Sequence, residues 1–292
     1  NRATDSITIV QNTGLDNQTS ENRQDSHRNH FLEEVSAIAF GAYHPEFDWQ
    51  WGSAQDSANT YCGLGSPNNF MGPTLWPSSL SHFAMEHQND QYLGSHIDMN
   101  HESPFGVGIA HDSDNSYWYN DGYYGELVYY DFQEDHGAGF DDHDDGLMVR
   151  FVEGQVAYEP NVPSHMVLDT DSRLLYIADT GNNRIAVLNT ESGVIGEHLQ
   201  RTEPGTTHLE VLGSSLTTFI DGDDFGLAAP SGLAIIDDVL LVTDNDTSEI
   251  VAFDMDGREI DRLDTRLPAG SLMGIEARSL EDIWLISARE NR

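Results

Sequence analysis

A three-strand unit recurs along the chain in a fixed register, and an internal repeat of this kind limits the fold more than any other feature of a sequence. In each copy an apolar run closes on an Asp, the first aliphatic residue of the next run lies six residues later, and that run ends ten residues after the Asp. The three Asp residues are Asp121, Asp179 and Asp244. Short apolar runs separated by Asp, Asn and Gly predict strands joined by turns.

The repeated units predict an all-β β-propeller in which each unit folds as one four-stranded blade. Clear copies cover residues 103–131, 162–189 and 229–254, and a shorter copy covers 272–287. Less regular apolar runs at 34–40 and 71–76 are expected to open two further blades. The predicted count is six blades, with five and seven as alternatives, in a single propeller domain that spans residues 31–292.

The first thirty residues differ from the repeats in composition. The segment 11–30 is rich in Asn, Gln, Ser and Asp, which is typical of a mobile arm or a long loop, so residues 1–30 are predicted to form an N-terminal polar arm. Residues 6–10, Ser-Ile-Thr-Ile-Val, are a further predicted strand. Because the copy at 272–287 lacks its third strand, we expect residues 6–10 to pair with it, closing the ring and covering an exposed edge.

The charge of the chain excludes several classes of partner. The sequence contains 50 Asp and Glu against 13 basic residues, all of them Arg, and its formal net charge is −37. A field of this sign repels nucleic acids and anionic membrane surfaces. It is typical of a solvated surface in a salty medium or of cation binding. No apolar run reaches the length of about 18 residues that a membrane helix needs, so we expect no membrane insertion.

Two features of the chain concern its compartment. Cys62 is the only cysteine, which excludes an internal disulfide and a thiolate metal cluster. The chain opens at Asn1 without a Met, which is consistent with removal of a signal peptide. We therefore expect a secreted protein, extracellular or periplasmic.

One stretch of the unit at 162–189 resembles a known repeat. Residues 175–185, Leu-Tyr-Ile-Ala-Asp-Thr-Gly-Asn-Asn-Arg-Ile, resemble the core of the NHL repeat, in which an aliphatic strand, an Asp, a turn and Asn-Arg precede another aliphatic strand. Residues 229–260 are similar to the same pattern, and the resemblance extends over residues 103–292. It implies an NHL-like β-propeller, a fold that serves binding modules, lyases and hydrolases.

Two shorter motifs are similar to the peptidylglycine amidating lyases, which are six-bladed NHL propellers. The motifs are Val162-Pro-Ser-His165 and Asp121-Gly-Tyr123. That family holds a metal with histidines at its central channel and places a functional Tyr in an Asp-Gly-Tyr turn. The resemblance implies a metal site that includes His165 and makes Tyr123 the candidate catalytic acid or base.

The repeats themselves also single out His165. The equivalent position in the other units is Gly106, Gly232 and Gly274. This position begins the innermost strand of a blade, which lines the axial channel, so an imidazole there is expected to lie near the axis. The alternatives are a ligand or catalytic role and simple filling of the channel.

Other histidines and carboxylates cluster before and after the unit at 103. His96 and Asp98 alternate as on one face of a strand, and imidazole with carboxylate is a usual ligand set for zinc, copper, nickel or iron. The acidic connection 134–146 contains two more histidines, which are expected to fold over the channel mouth unless this segment is a solvated loop or binds calcium. The predicted metal ligands are His96, Asp98, His101, His136, His143 and His165, and the predicted ion is zinc, copper or calcium.

Two functions follow from these patterns. The first is a secreted propeller that binds a divalent metal at the mouth of its central channel and acts as a metal-dependent lyase or hydrolase on a small molecule or peptide. The second is a non-catalytic extracellular module, stabilised by calcium, that captures a protein ligand or assembles with copies of itself. The sequence leaves open whether the protein is an enzyme.

Overall fold

The computed structural model describes residues 1–58, 70–89, 91–199 and 205–289, and these residues are almost entirely β-strands and turns. The α-helices within these ranges are single turns, α1 (Arg28–Phe31) and α2 (Gly222–Phe225), and two 3-10 turns lie at Arg2–Thr4 and Thr180–Asn182. No described helix is long and apolar enough to cross a lipid bilayer. Cys62 lies outside the described residues.

Three four-stranded sheets, one six-stranded sheet and one two-stranded sheet follow a short N-terminal hairpin. The hairpin strands are β1 (Ile7–Gln11) and β2 (Thr19–Arg23). The first sheet contains β3 (Val35–His44), β4 (Asp48–Gln55), β5 (Thr74–Pro77) and β6 (Asp98–Met99). The second contains β7 (Gly106–Ser113), β8 (Ser116–Asp121), β9 (Glu126–Asp131) and β10 (Leu147–Phe151).

The third sheet contains β11 (Met166–Asp169), β12 (Leu174–Asp179), β13 (Arg184–Asn189) and β16 (Thr217–Asp221). The fourth contains β17 (Pro230–Ile236), β18 (Val239–Asp244), β19 (Glu249–Asp254) and β20 (Glu259–Asp264), and the fifth contains β21 (Leu272–Ser279) and β22 (Asp282–Ser287). Two further strands, β14 (Val194–His198) and β15 (Thr207–Leu212), lie between β13 and β16 along the chain but belong to the second sheet. There β15 runs parallel to β10.

The repeated Asp anchors the turn after the second strand of its blade. All three copies are fully buried, and each accepts hydrogen bonds from the turn that follows. Asp121 Oδ1 accepts from the backbone N–H of Tyr123 at 2.9 Å, and Asp179 Oδ2 accepts from Arg184 Nε at 2.7 Å. A carboxylate that pairs these turn donors lets the chain reverse inside the sheet without unpaired groups. This turn explains the fixed register of the repeat.

The sheets are arranged around a common axis. Their first strands, β3, β7, β11, β17 and β21, lie side by side in that order and are the innermost strands. Apolar side chains fill the space between successive sheets; Leu75 of the first sheet packs with Ile109 and Tyr117 of the second, and Tyr176 of the third packs with Leu240 of the fourth. The predicted all-β propeller is therefore confirmed.

The predicted count of six blades is not met. The described residues contain four complete blades and an incomplete fifth sheet. The two openings expected at 34–40 and 71–76 belong to one blade, because Trp76 on β5 pairs with Trp51 on β4. Their apolar runs are the first and third strands of the same sheet, so counting each as a separate blade gave one too many.

The N-terminal segment does not close the ring as expected. Its predicted strand forms β1 but pairs with β2 and not with β22. Ile7 and Ile9 pack against the apolar cluster of the first sheet, and Arg23 Nη1 donates to the carbonyl of Leu80 at 2.7 Å. At the tip of the hairpin, a Cβ on Gly14 would lie 3.9 Å from the indole of Trp284 on β22. The hairpin thus lies between the first and fifth sheets without adding a strand to either.

Candidate metal centre

The polar residues before the second blade lie in a fully buried segment. Every residue from 95 to 103 is at most 2% exposed, although most of them are polar or charged. The segment contains β6, the outermost strand of the first sheet, and the connection between β9 and β10 packs over it. The backbone N–H of His136 donates to the carbonyl of Ile97 at 3.1 Å, and that of Gly139 donates to the carbonyl of His96 at 2.8 Å. These bonds bring residues 134–146 against the first sheet.

Three side chains converge where the two segments meet. One ligand atom each from Asp98, His136 and His143 lies within 4.8 Å of the others. His143 Nδ1 is 3.5 Å from Asp98 Oδ1, and the rings of His136 and His143 are 5.4 Å apart. His96 adjoins this trio, with its ring centroid 5.0 Å from that of His136. Two imidazoles and a carboxylate at this spacing are a candidate set of metal ligands.

The hydrogen bonds of the imidazoles fix which nitrogen faces the cluster. His96 Nδ1 donates to the carbonyl of Leu93 at 2.9 Å, and His136 Nδ1 donates to the carbonyl of Gly137 at 2.7 Å. A carbonyl only accepts, so in each ring Nε2 keeps its lone pair. Among the described residues these two Nε2 atoms are buried without a hydrogen-bond partner.

The third imidazole is oriented by a carboxylate. His143 Nε2 lies 2.9 Å from Asp141 Oδ1, whereas its Nδ1 faces Asp98. The carboxylate of Asp141 accepts the Nε2 proton, which leaves Nδ1 as the ligand atom. Oxygen acceptors that orient the far nitrogen are the usual second shell of metal-binding histidines.

Burial sets the charge states of the cluster. Burial, followed by the neighbouring charge of His136, lowers the pKa of His96 well below its ordinary value, and burial lowers the pKa of His136 to about 4. Burial raises the pKa of Asp98 to about 7, although the nearby imidazole of His143 opposes the shift. Both imidazoles are therefore neutral at pH 7, the form that binds a metal, whereas Asp98 is poised between its acid and its carboxylate.

Aromatic rings enclose the cluster on the side of the first sheet. Phe31 stacks on His96 with 3.7 Å between ring centroids. The ring of His101 lies 5.3 Å from that of His143, and His30 lies 5.6 Å beyond His101. His30 comes from α1, in the segment expected to be a polar arm, and nothing in its sequence context distinguishes it from the other polar residues there.

The structure places five of the six predicted ligands together, but not at the channel. His96, Asp98, His101, His136 and His143 lie beside the outermost strand of the first sheet, whereas the channel is lined by the innermost strands. The expected position at the channel mouth is therefore wrong. The last strand of one blade directly precedes the first strand of the next along the chain, so closeness to β7 in sequence does not mean closeness to the axis.

His165 lies apart from the cluster, near the axis. Its backbone N–H donates to the carbonyl of Ser231 at 3.0 Å, and its Nε2 is 3.4 Å from the position of a Cβ on Gly274. Burial lowers its pKa to about 4. The imidazole thus fills space that the glycine of the fifth sheet leaves open, and its described contacts lie with the third, fourth and fifth sheets.

Tyr123, the predicted acid or base, is also remote from the cluster along its blade. It lies in the turn before β9, whereas His136 and His143 follow the other end of that strand. The side chain is 44% exposed, and its ring contacts Tyr124. No hydrogen bond or ring contact between Tyr123 and the cluster occurs in the described part of the chain.

The donor set discriminates among the predicted ions. Imidazole nitrogens with one carboxylate suit zinc, copper, nickel or iron. Calcium takes six to eight oxygen ligands, and the trio offers one carboxylate, so calcium does not fit this cluster. A site with three protein ligands leaves a position for water or substrate when zinc is bound.

A buried ion-pair network adjoins the same segment. Arg150 Nη2 donates to the carbonyl of Glu102 at 2.7 Å, and Nη1 pairs with Glu126 and lies 3.4 Å from Asp121. Arg150, Asp121 and Glu126 are at most 3% exposed. Burial raises the pKa of Asp121 to about 7 although the charge of Arg150 opposes the shift. The guanidinium thus compensates two carboxyl groups inside the second blade.

Comparison with known proteins supports the fold alone. No family model and no curated protein matches the chain. A chain of a nidogen/laminin complex superposes with a TM-score of 0.53 at 11% identity, covering 89% of this chain and 72% of that one. A catalytically inactive virginiamycin B lyase from Staphylococcus aureus, solved with quinupristin, gives a TM-score of 0.51 at 13% identity, covering 99% and 73%.

A luciferin-regenerating enzyme gives a TM-score of 0.50 at 10% identity, covering 99% of this chain and 81% of its own. The matched proteins include enzymes and a protein-binding chain, so the shared architecture does not select a function.

Proposed function

We propose that this chain is a metal-binding β-propeller in which Asp98, His136 and His143 hold a divalent transition ion, zinc in the first instance, for a lyase or hydrolase reaction. One observation supports this most directly: ligand atoms of three side chains converge, and the far nitrogen of each imidazole is held by an oxygen acceptor. Such a set is costly to bury unless a ligand pairs it.

Some side chains of the site would bind the ion, and others orient the side chains that bind it. His136 supplies a neutral nitrogen, His143 supplies a second imidazole nitrogen, and Asp98 supplies negative charge. Asp141 accepts the Nε2 proton of His143, on the nitrogen that points away. His96 presents a further nitrogen at the edge of the trio. A bound divalent ion in such a site polarises a carbonyl or activates a water molecule.

The site is closed on one side and reaches solvent on the other. Asp98 and His96 are buried, whereas His143 is partly exposed and Asp141 is exposed. A small molecule or a peptide end therefore has an approach along residues 141–143. The proposed substrates are molecules of this size. The proposed location is outside the cytoplasm, because a strongly acidic surface is tolerated at high salt.

Elemental analysis tests the proposal. Protein purified without chelators is expected to carry about one zinc, copper, nickel or iron ion per chain, and dialysis against a strong chelator should remove it. A protein that carries calcium alone, or that takes up no transition ion after exchange, would contradict the proposed centre.

The affinity for zinc is expected to depend on pH through Asp98. Because the pKa of Asp98 is raised to about 7, the empty site holds a proton below pH 7 that the ion must displace. Affinity should fall about tenfold per pH unit below pH 7 and level off above it, since the imidazole of His136 is neutral until about pH 4. Chelator competition at pH 5.5, 6.5, 7.5 and 8.5 measures this.

The variant Asp98→Asn is the control for this pH dependence. It should bind zinc more weakly at every pH and lose most of the slope between pH 5.5 and 7. A flat profile in the parent protein over that range would show that the carboxyl group is not a ligand.

Exposed apolar side chains favour a second function, a non-catalytic binding or assembly module. Ile38, Phe40, Tyr43 and Trp49 are 40–62% exposed on β3 and β4 of the first sheet. Large exposed apolar groups in one region are typical of interaction surfaces. In this second function the partner is an extracellular protein or another copy of the chain. A monomer by light scattering that is unchanged by Phe40→Ser would argue against self-assembly.

A further inference from the structure

Asn100 carries a buried amide that has no hydrogen-bond partner in the part of the chain that the structure describes. Its side chain has no exposure, and neither Oδ1 nor Nδ2 has a hydrogen-bond partner among the described residues. Buried amides of folded proteins are almost always paired with protein or ordered water. Asn100 therefore requires a partner that the described residues do not supply.

The amide lies next to the candidate metal centre. Asn100 directly follows β6 and is two residues from Asp98. Its side chain lies against Gly146, where a Cβ would overlap Oδ1. The N–H of Gly146 donates to the carbonyl of His143 at 3.1 Å, so the amide contacts the turn that carries a metal ligand.

His96, Asp98 and Asn100 form one polar row. Each of these alternate residues is buried and has a side-chain nitrogen or oxygen without a hydrogen-bond partner in the described ranges. The intervening residues Ile97 and Met99 belong to apolar clusters of the core. Asn100 thus adds an amide, with both a donor and an acceptor group, next to the ligand atoms of the metal centre.

We propose that Asn100 holds the non-protein ligand of the metal centre, a water molecule or the oxygen of a carboxylate or carbonyl substrate, by a hydrogen bond from Nδ2. This inference rests on the proposed function and assigns its substrate class: molecules that bring an anionic or polarised oxygen to the ion. Asn100 is then a positioning residue for the exogenous ligand.

Direct coordination of the ion by Asn100 accounts less well for the amide. A metal bond to Oδ1 satisfies the acceptor and leaves Nδ2 buried without an acceptor of its own. A bound oxygen ligand pairs the donor, and a water molecule beside it pairs Oδ1. A neutral donor aimed at an oxygen that gains negative charge is also the usual means of stabilising it.

Cobalt(II) and acetate test the inference without reference to activity. Metal-free protein is loaded with cobalt(II), whose visible spectrum reports its coordination, and sodium acetate is titrated in. In the parent protein acetate should change the spectrum saturably. In Asn100→Leu the affinity for cobalt should stay within about twofold while that for acetate falls about tenfold, the loss of one hydrogen bond to a charged group.

Gly146→Ala is the second variant, since it keeps the amide of Asn100 but displaces it. The backbone φ of Gly146 is not positive, so the backbone accepts alanine, and the new Cβ pushes Asn100 Oδ1 from its position. It should also weaken acetate and spare cobalt. This variant decides the matter should Asn100→Leu fail to fold.

The outcomes separate the two proposals. Absence of cobalt binding in the parent protein overturns the metal centre itself. Cobalt binding without an acetate response, or an acetate affinity unchanged in both variants, overturns the role of Asn100 alone. A more than tenfold loss of cobalt affinity in both variants shows that Asn100 supports the ion or its ligands directly, which also overturns it.

Discussion

Replacing His136 by alanine is expected to lower the affinity of the protein for zinc about a hundredfold. Structural zinc sites bind with about 10–16 kcal/mol, so each of four ligands contributes about 3 kcal/mol, and about 1.4 kcal/mol corresponds to tenfold. His136 is the ligand whose Nε2 is buried, unpaired among the described residues and fixed by a bond from Nδ1 to Gly137. Chelator competition at pH 7.5 measures the change.

His198→Ala is the matched control for this substitution. His198 lies exposed on β14, and its Nδ1 contacts the carbonyl of Leu199 at 3.0 Å. Its loss should leave zinc affinity unchanged. His96→Ala should have an intermediate effect, because its ring borders the trio without belonging to it. Equal zinc affinities in the His136 and His198 variants would refute the assignment of the ligands.

Replacing Arg150 by leucine is expected to lower the free energy of unfolding by about 3–5 kcal/mol, because it leaves the buried carboxyl groups of Asp121 and Glu126 without their cation. Arg150 is 3% exposed, and its Nη2 also pairs the carbonyl of Glu102. Leucine fills part of the volume but none of these bonds. Urea unfolding followed by circular dichroism measures the change.

Arg258→Leu is the matched control for the buried arginine. Arg258 is 71% exposed and pairs with Asp254 and Asp256 at the surface. Exposed pairs of this kind contribute about 0–1 kcal/mol, so the control should be nearly as stable as the parent protein. A cost for Arg150→Leu no larger than that of the control would show that Asp121 and Glu126 are protonated or solvated in the folded state.

The blades that follow the repeat were predictable from sequence because the turn after the second strand imposes a register on it. The buried Asp at 121, 179 or 244 must accept bonds from the residues that follow, so strand lengths and spacings cannot drift. In the first blade the second strand β4 ends at Gln55 and not at an Asp, and β5 follows a long connection after it. Without that marker two strands of one sheet resembled the openings of two blades.

The site was predictable in membership and not in place. Alternation of His96 and Asp98 and the histidines of the 134–146 segment were visible in the sequence, and the fold brings them together. Their position at the outer edge of the first sheet could not be predicted, because it depends on the backbone hydrogen bonds that hold residues 136–139 against that sheet. Asn100 could not be predicted from sequence, because an amide indicates a metal site only once its burial and its lack of partners among the described residues are known.

The position of strands β14 and β15 affects how the propeller unfolds. They depart from the third blade before its last strand β16 and pair on the second, with Leu147 opposite Thr207. The chain of the third blade thus passes through the second between β13 and β16, and we expect the two blades to open as one cooperative unit. Amide protons of these neighbours are then expected to exchange with solvent together, whereas the two-stranded fifth sheet can open locally at lower free energy.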